Sequence, residues 1–353
     1  MSYLRKKKIV SILILLLAMV GILQVARGYF GAEEKKLRSQ LRASVQQQFP
    51  VAFEKNKSGY GLHRYMEPLS EEVSTAKGGK VILVHGLDDP GIIWESLGPI
   101  LVKSGYQVWI MNYPNDQPIR DSANYFGQQL ELFVGDEGPA PVAIVGHSMG
   151  GLVTREMLTN PNIGYEGKIK AGLVPAITHF IMVGTPNHGS IFSRLRFFTE
   201  VRDQLVSAGK GQYQWLRSVF DGMGEAGIDL YPGSDFLGEL NGRPLFAADK
   251  MLIIAGIMSP WDQKDITKGI EEIKQSFPES AETSFVKFQP LLEKMITDVG
   301  DGLVSVDSAS LAGVPLVQVQ GTHVSIIRNL TNSSKRVPPA IPIILRELED
   351  RRL

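Results

Sequence analysis

The sequence predicts an α/β protein built on a mostly parallel β-sheet with helices on both faces. Three observations predict it. Short apolar runs suited to buried parallel strands recur along the chain. Stretches of helical spacing lie between them, and strand-then-helix repetition folds into a parallel sheet covered on both sides. With 353 residues, of which 43% are hydrophobic and 21% charged, the chain can bury one large core.

The elements follow in order. Arg5, Lys6, Lys7 and Lys8 form a basic block, and the 18 residues 9–26 after it carry no charge. That run is near the lower limit of the roughly 17–25 residues needed to span a hydrocarbon core. It is longer than the ~7–15 apolar residues of a removable signal peptide. Residues 1–30 are therefore read as a membrane anchor or signal segment, with the basic block in the cytoplasm. The chain beyond residue 28 is then periplasmic or extracellular. Small residues at Ala26 and Gly28 leave cleavage, and hence secretion, open. Residues 31–58 read as a helical linker or stalk, with Leu37, Leu41, Val45 and Phe49 recurring every four residues.

The main domain runs from 59 to 353. Buried strands are expected at 81–85, 107–111, 142–146, 179–183, 251–257 and 316–320, and helices at 92–103, 121–134 and 149–158. The rhythm breaks between Gly184 and Met251, and a structureless loop of that length is uncommon in a compact domain. Ile191, Leu195, Phe198, Val201 and Leu205 recur there at helical spacing, followed by a glycine-rich stretch at 222–227. A helical insertion at about 188–250 that covers the site as a lid is expected.

Charge and cysteine content narrow the function. Lys+Arg and Asp+Glu each number 37. Five basic residues and no acid fall within residues 1–30, leaving 32 basic against 37 acidic residues in the remainder, a formal charge of −5. Such a body repels phosphate backbones, so nucleic acid is not an expected partner. The absence of cysteine excludes disulfides, thiolate metal sites and a cysteine nucleophile. No cofactor and no metal site is indicated.

The chemical signal is Gly146-His147-Ser148-Met149-Gly150, directly after one expected strand and before a helix. A serine in such a sharp turn is lifted clear of the sheet, and small residues two positions either side avoid a clash. Ser148 is the candidate nucleophile, and a serine hydroxyl needs a base. Of the six histidines, His63 and His85 precede the serine, His147 adjoins it and is expected to point away, and His179 opens a buried strand. His188 has no acid position between it and the insertion. His323 follows the last strand, where catalytic groups collect in α/β sheets, and is the candidate base. Asp301 is the candidate acid to orient it, with Asp298 and Asp307 as near competitors. The oxyanion donors are expected to be the backbone N–H groups of Met149 and Leu87.

His85-Gly86-Leu87, the segments 146–151 and 184–190, Asp301-Gly302-Leu303-Val304 and Gly321-Thr322-His323 resemble the motif series of bacterial lipases of the α/β-hydrolase superfamily. The inositol deacylases of lipid anchors carry a similar series. The resemblance covers about 79–330 and implies an α/β-hydrolase fold with Ser148 as nucleophile, Asp301 as acid and His323 as base. It also implies Leu87 and Met149 as the oxyanion hole. It departs over 258–297, which is long and polar where many relatives are shorter. The expected activity is hydrolysis of acyl or lipid esters through an acyl-enzyme. Two alternatives stay open: a transacylase using the same groups, and an inactive membrane-tethered binding module. No feature of the sequence speaks to oligomeric state.

Overall fold

A computed structural model describes residues 59–65, 78–87, 89, 91–115, 117–190, 225–258, 300–329, 331 and 334–350. Residues 1–58, the apolar stripe between 191 and 205, and Asp298 lie outside them. Among the described residues no helix is long and apolar enough to cross a membrane.

Seven strands form one sheet: β1 (Gly61–Arg64), β2 (Lys80–Val84), β3 (Gln107–Asn112), β4 (Val142–His147), β5 (Ile177–Val183), β6 (Met251–Ile257) and β7 (Leu316–Gln320). Their order is β1-β3-β2-β4-β5-β6-β7, and every neighbouring pair is parallel except β1, which runs antiparallel to β3. The helices are α1 (Leu97–Lys103), α2 (Ile119–Glu137), α3 (Met149–Thr159), α4 (Tyr165–Lys170), α5 (Glu225–Asp229), α6 (Asp235–Gly242), α7 (Val306–Ala309) and α8 (Ala340–Asp350). The fold class expected from the sequence is the one found.

The packing follows from the strand period of two. Ile82, Val84, Ile144, Phe180, Met182 and Ile253 project to one face, against Phe126 and Leu130 of α2, Leu152 and Val153 of α3, and Leu237 of α6. Val81, Leu83, Val145, Ile181, Val183 and Ile254 project to the other, against Leu97 and Leu101 of α1 and Ile341, Ile344 and Leu348 of α8. Central strands must be apolar on both sides, so β2, β4 and β6 read as near-continuous Val, Ile, Leu and Ala runs. Each such side chain buried contributes roughly 1.5–3 kcal/mol, which fixes the register.

Three local details differ from the sequence expectation. The helix expected over 92–103 is a 3₁₀ turn, Ile92–Glu95, followed by α1. Its bond Trp94 N–H to Gly91 C=O is the shorter three-residue kind, and Asp89 accepts from Ile93 N–H at its mouth. Helix α2 begins earlier than its apolar stripe, because Asp229 reaches across to accept from Ile119 N–H at 2.9 Å. Strand β1 has no two-sided apolar run because it is a sheet edge.

Residues 225–250 return the chain to the core. Ser190 N–H donates to Leu230 C=O at 2.8 Å, so the span between them leaves and re-enters at one point. Ser190 Oγ–H also donates to Leu303 C=O at 2.5 Å. Buried Arg155 on α3 donates to Asn187 Oδ1 and Asn241 Oδ1, each at 3.0 Å, tying α6 to the loop after β5. Glu156, fully buried beside it, pairs with Arg243 and Arg120 and accepts from Asn160. Burial lowers the Arg155 pKa to about 10.

Candidate active site

Ser148 stands between β4 and α3 with φ 54° and ψ −129°. Among the described residues only Ala247 shares a positive φ without being glycine. This costs about 1–3 kcal/mol and persists only where surroundings enforce it. Here the backbone is held on both sides: Ser148 N–H donates to Val183 C=O, and Ser148 C=O accepts from Gly151 N–H. The turn is also compressed. A β-carbon on Gly150 would stand 2.1 Å from Val84 O, and one on Gly146 2.8 Å from Gly151 Cα. Serine is a favoured helix cap because its hydroxyl accepts from the first turn, but Ser148 makes no such bond. Its oxygen is left for other partners.

Asp301, in the turn that opens at Gly300, and His323, after β7, lie together. Asp301 Oδ1 accepts from Leu303 N–H at 2.9 Å and Val304 N–H at 2.8 Å, while Oδ2 lies 2.7 Å from His323 Nδ1. The backbone repeats the link, with His323 N–H donating to Asp301 C=O at 2.9 Å. A carboxylate only accepts, so Nδ1 carries the hydrogen and Nε2 keeps its lone pair. Asp301 is 1% exposed and His323 7%. Gly184, at the end of β5 with φ 58°, lies beside the pair. A β-carbon there would come within 3.1 Å of Asp301 Oδ2 and 3.2 Å of His323 Nδ1. Asp307 is exposed in the first turn of α7.

The loop His85-Gly86-Leu87 lies against the serine. A β-carbon on Gly86 would stand 2.8 Å from Ser148 Cβ and 3.3 Å from its Oγ. Tyr113 pins this loop: its hydroxyl donates to His85 C=O at 2.6 Å, and its ring stacks on His85 at 4.7 Å. Burial keeps the Tyr113 hydroxyl protonated and pushes the His85 pKa down. Met149 opens α3, and the first N–H groups of a helix have no intrahelical acceptor. Leu87, the residue after Gly86, is half-buried.

His323 is thus paired with a buried carboxylate. His63 and His188 are exposed, and buried His179 faces Thr178. His147, expected to point away from the serine, packs on His323 with ring centroids 4.7 Å apart, and its Nε2 lies 3.0 Å from His323 O. Burial, then the neighbouring His323 charge, pulls the His147 pKa down to about 3. No group of three or more His, Asp or Glu side chains placed to hold a metal ion occurs among the described residues.

The chain is similar to several solved structures. The mature Bacillus licheniformis lipase BlEst2 matches at 18% identity and TM-score 0.50, over 82% of this chain and 98% of that one. The Staphylococcus hyicus lipase matches at 15% identity and TM-score 0.49, over 81% and 97%. The Legionella pneumophila phospholipase PlaB matches at 17% identity and TM-score 0.49, over 77% of this chain and 59% of its own. At such identities the likeness concerns the fold. No curated protein sequence matches. A family model described as "Alpha/beta hydrolase family" matches residues 81–269, more than half of the chain. The chain, with its strained serine between strand and helix and its seven-stranded, mostly parallel sheet, belongs to the alpha/beta hydrolase family.

Proposed function

We propose that the protein is a serine ester hydrolase acting on acyl or lipid esters. The observation that carries this reading is the buried Asp301–His323 pair, held at the end of the sheet where Ser148 is presented in a strained turn. His323 Nε2 takes the Ser148 proton as Oγ bonds to the ester carbonyl carbon. Negative charge on the carbonyl oxygen is met by the N–H groups of Leu87 and Met149, and the N-terminal end of α3 adds its favourable dipole. The carbon–oxygen ester bond then breaks, the alcohol leaves with the proton from His323, and water releases the acyl group by the reverse exchange. Asp301 holds the imidazole in the tautomer that accepts at Nε2 and stabilises its cation.

Family membership supports hydrolysis as the reaction class; the ester linkage is inferred from the serine-based site. The apolar stripe of residues 191–205 supports long-chain substrates, and the segment 1–30 supports attachment to a membrane with the hydrolase domain outside the cytoplasm. The test is a series of p-nitrophenyl esters of increasing chain length, with a fluorophosphonate probe and the variant Ser148→Ala. Wild type hydrolyses the esters and takes the probe. Ser148→Ala loses at least about 10⁴-fold in kcat and takes no probe. A folded Ser148→Ala that keeps more than a few per cent of activity sinks the assignment.

A further inference from the structure

We infer that His147 is a positioning residue of the reaction, holding the backbone of His323 through its ring N–H and so fixing the base relative to Ser148. This rests on the reading of His323 as the base. His147 is the residue immediately before the nucleophile, so one hydrogen bond links the end of the serine's strand to the base itself. The acceptor, His323 C=O, cannot donate, and Nε2 of His147 therefore carries the hydrogen.

Without that bond the base is held from one side. Asp301 contacts His323 twice, by Oδ2 to Nδ1 and by C=O to N–H, and both contacts come from the same loop. They set the tilt of the imidazole, but neither reaches β4, the strand that leads into the serine. His147 supplies the second fixed point, from a central strand whose residues are buried along its length. The ring is built in rather than draped over the site: His147 is 4% exposed, and Trp94 packs edge-on against it at 6.4 Å. The absence of a side chain at Gly184 leaves space beside the Asp301–His323 pair.

The chemistry also requires His147 to be uncharged. When His323 takes the serine proton it becomes a cation 4.7 Å from the His147 ring. A second cation there would oppose that step. Deep burial keeps His147 neutral, and the carbonyl of His323 selects the tautomer that donates from Nε2.

The test compares His147→Leu with His147→Gln in the full chain. Glutamine carries an N–H the same number of bonds from Cβ as Nε2 and preserves the donor; leucine removes it. Because a displacement of about 1 Å at such a site costs up to roughly 100-fold, His147→Leu should lower kcat on a soluble short-chain ester by about 10- to 100-fold with KM little changed. His147→Gln should recover most of kcat. Proton NMR of the His323 Nδ1–H, shifted downfield by its bond to Asp301, gives a readout independent of turnover. That signal should move or broaden in His147→Leu and return in His147→Gln. Wild-type kcat and an unmoved signal in His147→Leu overturn the inference, as does a folded His147→Gln as impaired as His147→Leu. If His147→Leu does not fold, His147→Asn takes its place, since its amide falls one bond short; full activity with an unmoved signal there is equally fatal. A wild-type protein inert to every ester, with the signal still dependent on the residue 147 donor, removes the proposed function and keeps the positioning.

Discussion

One carboxylate of Asp301 is both anchored and aimed: Oδ1 accepts from the N–H groups of Leu303 and Val304, and Oδ2 faces His323 Nδ1 at 2.7 Å. Asp301→Asn keeps the anchor and reverses the aim. The amide nitrogen would face Nδ1 and donate to it, forcing the hydrogen to Nε2, where no serine proton can then be taken. The expected loss in kcat is about 10³–10⁴-fold with the melting temperature little changed. Steady-state kinetics on a short-chain ester checks this, and a loss below tenfold in a folded variant overturns the assignment of Asp301.

Gly184→Ala tests the space beside that pair. Its φ of 58° costs a residue with a side chain about 1–2 kcal/mol, and the new methyl group would press on Asp301 and His323. Lowered stability and a kcat reduced by about tenfold are expected together, since a small displacement of the base is enough. Urea denaturation and kinetics on the same preparation read both.

Glu156→Gln tests the network behind the nucleophile helix. Glu156 is fully buried between Arg243 and Arg120. Removing its charge takes the carboxylate from part-buried Arg243, while half-exposed Arg120 keeps Glu239, so the cost should fall below the roughly 3–5 kcal/mol of breaking a fully buried pair. The urea midpoint should fall accordingly, while kcat of the folded protein is unchanged, because no atom of Glu156 belongs to the proposed site.

Deleting residues 1–28 should yield an active protein that no longer sediments with membranes. The groups of the proposed site all lie beyond residue 84, and the deleted segment carries the basic block and uncharged run. Centrifugation and ester hydrolysis of the truncated chain check the two halves separately. A truncated chain that folds and is inert would show that the segment takes part in activity.

The sheet was legible because parallel strands buried on both faces are mostly apolar, as β2, β4, β5 and β6 are. The carboxyl ends of β4 and β7 pointed to Ser148 and His323 as candidates before any contact was known. Strand β1 was not legible, since an edge strand such as Gly61–Arg64 needs no apolar run. The start of α2 escaped because its cap, Asp229, is 110 residues away. His147 was expected to point away from the serine; its contact with His323 is a matter of which loop lies beside β4 at its end. Local spacing carries no such information.

The bond from Ser190 N–H to Leu230 C=O has a consequence for how this domain can diversify. An excursion whose two ends are already joined changes the chain's entropy little when it is lengthened or shortened, by about 0.6 kcal/mol for each doubling. The joint is fastened to the Asp301 turn through Ser190 to Leu303 and to α3 through Asn241 to Arg155, independently of what connects the two ends. Replacing residues 191–224 with segments of other length or hydrophobicity should therefore alter which substrates reach Ser148 while leaving the Asp301–His323 geometry in place. On the proposed reading, substrate range and chemical machinery become separately variable parts of this chain.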